Sequence, residues 1–205
     1  MIKQLAPKHL LIGMIVPAAC FAFLLSTPRH SSSPLTRCAS RTKIMASSLS
    51  ALPNLNNPDG TGASIDDTSE QMKGKHVALY FAAGWCPMCT SFEPSLLKFR
   101  DAANSSGSNV QIIYVPSDRK EIDVVKRTSS MNMLSVPIGE EADAMKTRYK
   151  IWAGAESLKL GMGRRSGVPA LVVLDPKGDE IAFVAAESKG AKALGDWPLD
   201  DSGLW

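Results

Sequence analysis

Trp85-Cys86-Pro87-Met88-Cys89 follows directly on an apolar run, Val77-Ala78-Leu79-Tyr80-Phe81-Ala82-Ala83, and this junction constrains the chain more than any other feature. The run reads as a buried strand, and a strand that delivers Cys-x-x-Cys to a helix start makes a thiol reactive near neutral pH. Only the thiolate attacks a disulfide. Bringing an ordinary thiol from near 8.5 to about 7 asks for roughly 2 kcal/mol of selective anion stabilisation. A helix N-terminus supplies up to about 2 kcal/mol in a partly buried setting, and its unpaired N–H groups add to that. Cys86, the N-terminal and exposed member of the pair, is therefore expected to attack. Cys89, one turn later and more buried, is expected to resolve the mixed disulfide. Pro87 suits the first helical turn, where its missing donor costs nothing, and Met88 keeps an N–H that a second proline would lack.

Hydrophobic periodicity lays out an alternating β/α pattern around this junction. Ser64 to Met72 forms a weak first element, and Lys73-Gly74-Lys75 turns into the strand 77–83. The helix after the dithiol is expected from Pro87 to Ala103, with Phe92, Leu96, Phe99 and Ala103 on one buried stripe and Pro94 as an internal kink. Val110 to Val115 is a second continuous apolar strand. Asp118 with Glu121 resembles a capping box opening a helix near 119–131. Pro137-Ile138-Gly139 makes a turn before a helix whose Ala142, Met145, Tyr149 and Trp152 share one face. After a Gly-rich stretch (153–167) come strands Ala170–Leu174 and Glu180–Ala185, joined as a hairpin by Asp175-Pro176-Lys177-Gly178. A short helix near 188–195 completes the pattern.

A single Cys-x-x-Cys cannot close a four-ligand zinc site, and His76, the one histidine after the leader, sits at the far end of the strand. No metal is expected. Gly167-Val168-Pro169 enters a strand, and beside a dithiol this proline is expected to be cis, giving a backbone edge for an extended substrate. The expected substrate groove is thus Trp85, Pro87, Met88, Val168 and Pro169. Arg164 and Arg165 read as solvated loop charge, with an acidic partner as the alternative, and Met131, Met133, Met145 and Met162 as core or loop residues.

Charge is distributed unevenly. Residues 1–58 hold six of the 23 basic residues and no acid, which leaves 17 basic and 20 acidic side chains in 59–205. That balance shows no basic stripe for nucleic acid. Lys3 and Lys8 precede a 16-residue apolar run, Leu10 to Leu25, shorter than the about 20 residues of a membrane span. With the small residues Ala18-Ala19-Cys20 it has signal-peptide form, and the acid-free Ser/Thr/Arg-rich stretch from Ser26 to Leu52 has transit-peptide composition. Residues 1–45 are read as a targeting leader, 46–63 as a flexible linker and 64–205 as the folded domain. The pairing of signal and transit segments is similar to the bipartite plastid leader of algae with secondary plastids. An uncleaved membrane anchor at 10–25, a cytosolic product started at Met45 and simple secretion are the other readings.

Strand, Trp-Cys-x-x-Cys, a proline five residues after the second Cys and a distant Val-Pro before a hairpin together resemble the thioredoxin superfamily. Tyr80, six residues before Cys86 where ordinary thioredoxins carry a buried acid, and Tyr-Phe-x-Ala-x-Trp-Cys-Pro resemble its tryparedoxin/nucleoredoxin branch. So do Asp118, Met131, Leu134-Ser135-Val136-Pro137 and the Trp197-Pro198 tail. The resemblance covers about residues 60–205, departing at Pro87-Met88, where tryparedoxins have Pro-Pro, and at Asn132-Met133, where they have Pro-Trp. It implies an α/β thioredoxin-like fold: a central mixed β-sheet flanked by helices on both faces, with a C-terminal β-hairpin.

The implied activity is reduction of protein disulfides through the redox-active pair Cys86 and Cys89, with peroxiredoxins among the candidate substrates. No cofactor is expected, because the chain lacks a Gly-rich nucleotide loop after a strand. Electrons then come from an external thiol reductant or a thioredoxin reductase. A redox-sensitive protein-binding adaptor and a disulfide isomerase or oxidant are the alternatives.

Overall fold

The computed structural model describes residues 52–200 and 203–205. The leader 1–45 and the first part of the linker lie outside the described residues. A five-stranded sheet has the order β3-β2-β1-β4-β5, with β1 (His76–Ala82), β2 (Val110–Pro116), β3 (Leu134–Ser135), β4 (Ala170–Leu174) and β5 (Glu180–Val184). β1 pairs parallel with β2 and β2 with β3, while β4 runs antiparallel to both β1 and β5. The parallel pairs need crossovers, which α2 (Pro87–Ser105) and α3 (Glu121–Met131) supply. α1 (Ile65–Met72) precedes β1, and α4 (Glu140–Tyr149) follows β3.

Every residue of β1 and β4 is buried, as continuous apolar strands demand when both sheet faces are covered. Successive side chains of β1 point to opposite faces. Tyr80 packs on Phe92 of α2 with ring centroids 6.1 Å apart, and Phe81 packs on Tyr149 of α4, also at 6.1 Å. Helices therefore flank the sheet on both sides. The mixed sheet and the β4–β5 hairpin are the expected thioredoxin-like architecture.

Three local expectations change. Composition marks residues 52–63 as linker, yet Leu52 and Leu55 are buried in the core. Asn56 exchanges both main-chain hydrogen bonds with Ser135 (2.7 and 3.0 Å), covering the outer side of β3. The capping box at Asp118 does not form: α3 begins at Glu121 behind Lys120, because the Asp118 carboxylate is engaged elsewhere. Arg164 and Arg165 are exposed, and their charge is paired rather than free in solvent. Arg165 binds both carboxylate oxygens of Glu180 (2.7 and 2.9 Å) and lies over Phe183, while Arg164 donates to the Trp152 carbonyl at 3.1 Å.

Asn132, which stands where the resembled branch has proline, ends α3 with φ 50°. Asparagine tolerates this left-handed conformation, whereas proline is locked near −65°. The Gly-rich stretch contains a 3₁₀ turn (Gly154–Glu156) and the four-residue helix α5 (Ser157–Leu160). The C-terminal helix resolves into α6 (Ala186–Lys189) and a 3₁₀ segment, Gly190–Asp196, whose following Trp197 packs on Phe99 of α2 at 5.2 Å. Among the described residues no helix is long and apolar enough to cross a membrane.

Candidate active site

β1 ends at Ala82, and a tight turn closes by the Cys86 N–H donating to the Ala83 carbonyl at 3.1 Å. Cys86 then caps α2 with extended backbone, Pro87 occupies the first helical position, and Cys89 follows on the first turn. Both cysteines are free thiols. The turn is held from β2. Asp118 accepts the Gly84 N–H at 2.7 Å with one oxygen and the Tyr114 hydroxyl at 2.6 Å with the other. Trp85 Nε1 donates to the Ser117 carbonyl at 3.0 Å. Ser117 in turn donates to Glu156 (2.7 Å), which accepts the buried Lys146 ammonium at 2.5 Å. The 153–167 stretch thus braces the tryptophan ahead of the dithiol.

Opposite the thiols, the Val168–Pro169 peptide is cis. The Cys86 thiol donates to the Val168 carbonyl at 3.6 Å. This contact corrects the expectation of an exposed Cys86: the loop ahead of Pro169 lies across it, and it keeps 8% of its surface. Cys89 keeps none, so the order of accessibility still puts Cys86 outermost. Trp85 and Met88 flank the pair at 49% and 47% exposure. Cys86, Cys89, Trp85, Met88 and Val168 therefore gather at the carboxyl end of β1, with Pro87 in the same turn and Pro169 leading into β4.

Burial pushes the Cys89 thiol far above the ordinary range. The Ala83 N–H and the Arg127 charge oppose that shift, whereas a hydrogen bond and the charge of Cys86 add to it. The inner thiol thus holds its proton more tightly than an ordinary cysteine does.

Behind the dithiol lies a polar cluster that motif reading missed. Glu93 Oε1 accepts the Tyr80 hydroxyl at 3.4 Å and pairs with Arg127, and all three are largely buried. A cavity of about 450 Å³ opens beside it, lined by Gly84, Trp85, Asp118, Lys126 and Arg127. Helical spacing offered one signal, since Glu93 is four residues after Cys89 and shares its helix face. Arg127 gave none. Glu187, which accepts the Gly167 N–H at 2.5 Å and so fixes the segment entering Val168, was likewise missed. Among the described residues no group of three or more His, Cys, Asp or Glu is placed to hold a metal.

A family model described as thioredoxin-like matches residues 74–180, from the turn before β1 through the start of β5. The chain belongs to the thioredoxin-like family. Its relatives lie in the tryparedoxin/nucleoredoxin branch. Human nucleoredoxin is 33% identical over 120 residues, covering 58% of this chain and 24% of that protein. Probable nucleoredoxin 1 of Arabidopsis thaliana is 26% identical over 146 residues, covering 71% of this chain and 22% of the relative. The chain spans about a quarter of the length of these curated relatives. Among solved structures, tryparedoxin I from Leishmania major superposes with a TM-score of 0.52 at 26% identity, covering 74% of this chain and 93% of the other. This thioredoxin-like chain carries Cys-Pro-Met-Cys at the junction of β1 and α2.

Proposed function

We propose that the protein reduces disulfides in other proteins through Cys86 and Cys89. The Cys86 sulfur attacks a substrate disulfide and forms a mixed disulfide; Cys89 then displaces the substrate thiol and closes the Cys86–Cys89 bond. The observation that carries this reading is the 3.6 Å contact between the Cys86 sulfur and the Val168 carbonyl. It puts the outer thiol beside a main-chain acceptor able to hold an extended substrate, with Cys89 directly behind. Trp85, Pro87, Met88 and Pro169 complete the groove. An external thiol reductant or a thioredoxin reductase restores the dithiol, and peroxiredoxins are among the protein substrates to be screened.

The test is an insulin-reduction assay with the wild type, Cys86→Ser and Cys89→Ser. Activity is expected in the wild type and absent from Cys86→Ser. Cys89→Ser is expected to accumulate a covalent mixed disulfide, visible as a reducible mass increment. Turnover by Cys86→Ser at the wild-type rate would refute the reading. The acid-free composition of the first 58 residues supports action inside an organelle, a plastid reached through a bipartite leader, and mass-mapping the mature N-terminus in cells tests it.

A further inference from the structure

Trp152 to Arg165 form a loop bonded to both sides of the dithiol groove, and the exchange chemistry leaves it without a role. Main-chain hydrogen bonds close its neck: the Arg165 N–H donates to the Lys150 carbonyl at 2.6 Å, and the Trp152 N–H to the Ser166 carbonyl at 3.4 Å. Arg164 crosses the neck to the Trp152 carbonyl. One flank is anchored by Glu156, which accepts the Ser117 hydroxyl, while the Ser117 carbonyl holds the Trp85 indole. The other flank is anchored by Arg164, 4.0 Å from Glu187, the carboxylate that fixes Gly167 ahead of Val168. A loop with closed ends and fixed flanks is a compact surface element, of the class that carries recognition residues.

Every charged side chain of this loop is paired: Glu156 with Lys146, Lys159 with Asp143, Arg164 with Glu187 and Arg165 with Glu180. What it turns to solvent without a partner is apolar. Leu158 is fully exposed and Met162 keeps 88% of its surface, more than any other large apolar side chain among the described residues. Leu158 stands two residues after Glu156, so its backbone lies within about 7 Å of that anchor. Trp85 and Met88 are exposed on the dithiol turn itself. Single exposed apolar residues are ordinary, but two pairs of them, tied together around a reactive dithiol, form a contact surface. With its charges neutralised, the loop has nothing to attract a charged segment and loses little when an apolar one covers it. The chain runs from the loop straight through Ser166 and Gly167 to Val168, so a polypeptide held at the Val168 carbonyl has this loop as its neighbour.

We propose that the Trp152–Arg165 loop selects polypeptide disulfides, with Leu158 and Met162 covering an apolar side chain in the segment that flanks the substrate cysteine. The proposal rests on the disulfide-reduction reading above and names the kind of substrate that reading leaves open. Leu158 offers a branched side chain on the short helix α5, and Met162 a flexible thioether that adapts to different partners. Both touch the substrate away from its reacting sulfurs, so they set how tightly it binds and leave the exchange step alone. A small disulfide has no flanking chain with which to reach the loop.

The test mixes the reduced full chain with an excess of three oxidised substrates and follows closure of the Cys86–Cys89 disulfide by acid quench and mass analysis. The substrates are a peptide disulfide with leucines beside its cysteines, the same peptide with serines there, and the aromatic disulfide 5,5′-dithiobis(2-nitrobenzoate). The wild type is expected to reach half its limiting rate at a lower concentration of the leucine peptide than of the serine peptide. Leu158→Ser/Met162→Ser is expected to raise that concentration about 10-fold for the leucine peptide and to erase the preference. Its limiting rate and its reaction with the aromatic disulfide are expected to match the wild type, and both side chains are exposed, so folding is not at stake. A wild type without the preference, or a double variant that keeps it, overturns the proposal. So does a wild-type dimer in sedimentation that the double variant dissociates, because it assigns the two side chains to a second copy. A wild type that closes its disulfide with none of the three substrates overturns the disulfide-reduction reading itself, whereas a lost preference alone leaves that reading intact.

Discussion

Asp118 reaches from the loop after β2 to accept the N–H of Gly84 at 2.7 Å, two residues ahead of the Cys86 sulfur. The same carboxylate takes the Tyr114 hydroxyl on its other oxygen. One side chain from the loop after β2 thus ties the dithiol turn to that strand.

Asp118→Ala leaves the buried Tyr114 hydroxyl and the half-buried Gly84 N–H without an acceptor, at about 1–3 kcal/mol for a fully buried donor and less for the other. We expect urea unfolding to show a loss of about 2–4 kcal/mol, and insulin reduction to slow as the turn loosens. Asp118→Asn keeps one acceptor and should lose about half as much stability. A midpoint for Asp118→Ala equal to wild type contradicts this account.

Gly167 has its N–H on Glu187 at 2.5 Å, and a methyl group at this position would overlap that carboxylate. Gly167→Ala is expected to push Glu187 aside and cost about 1–3 kcal/mol. Glu187→Ala removes the bond without a clash. Both variants should lower turnover of a protein disulfide more than that of a small aromatic disulfide, because the released segment runs into Val168. Comparing the two substrates checks it.

Glu93 sets a pH dependence of stability. Its folded pKa is raised above the ordinary value of 4.5, chiefly by burial, so the folded state holds this proton more tightly than the unfolded chain does. The stabilisation is complete below about pH 4.5 and is lost as the pH rises through the folded value. Glu93→Gln cannot ionise and lacks the effect. The unfolding free energy of Glu93→Gln minus that of the wild type should therefore rise as the pH increases above about 4.5 in matched urea melts.

Leu55 is buried although its neighbours are Ser, Asn, Pro and Gly. Leu55→Ala is expected to destabilise the domain by about 2–4 kcal/mol, as for other core leucines, and denaturation midpoints measure it. An unaltered midpoint means that residues 52–63 dock without contributing to the core.

Much of this architecture was legible along the chain. β1, β2 and β4 are largely apolar runs, and the bounds of β4 match the expected strand residue for residue. β3 was invisible because two residues carry no periodicity. Leu52 and Leu55 were hidden by the polar composition around them. At Asp118 the spacing to Glu121 imitates a helix cap, but tertiary donors from Gly84 and Tyr114 outcompete the local ones. The Glu93–Arg127 pair joins residues 34 apart, and the cover over Cys86 comes from a residue 82 positions away. No local pattern encodes either.

The double exchange between Asn56 and Ser135 has a bearing on how this protein behaves when concentrated. β3 is an outer strand, and its main-chain groups at Ser135 are already spoken for. The opposite rim, β5, opens with Glu180 clamped by Arg165, whose guanidinium roofs Phe183 of the same strand. Charge at one rim and an occupied ladder at the other discourage a second copy from extending the sheet. Edge-to-edge growth of the sheet into a polymer is thereby disfavoured.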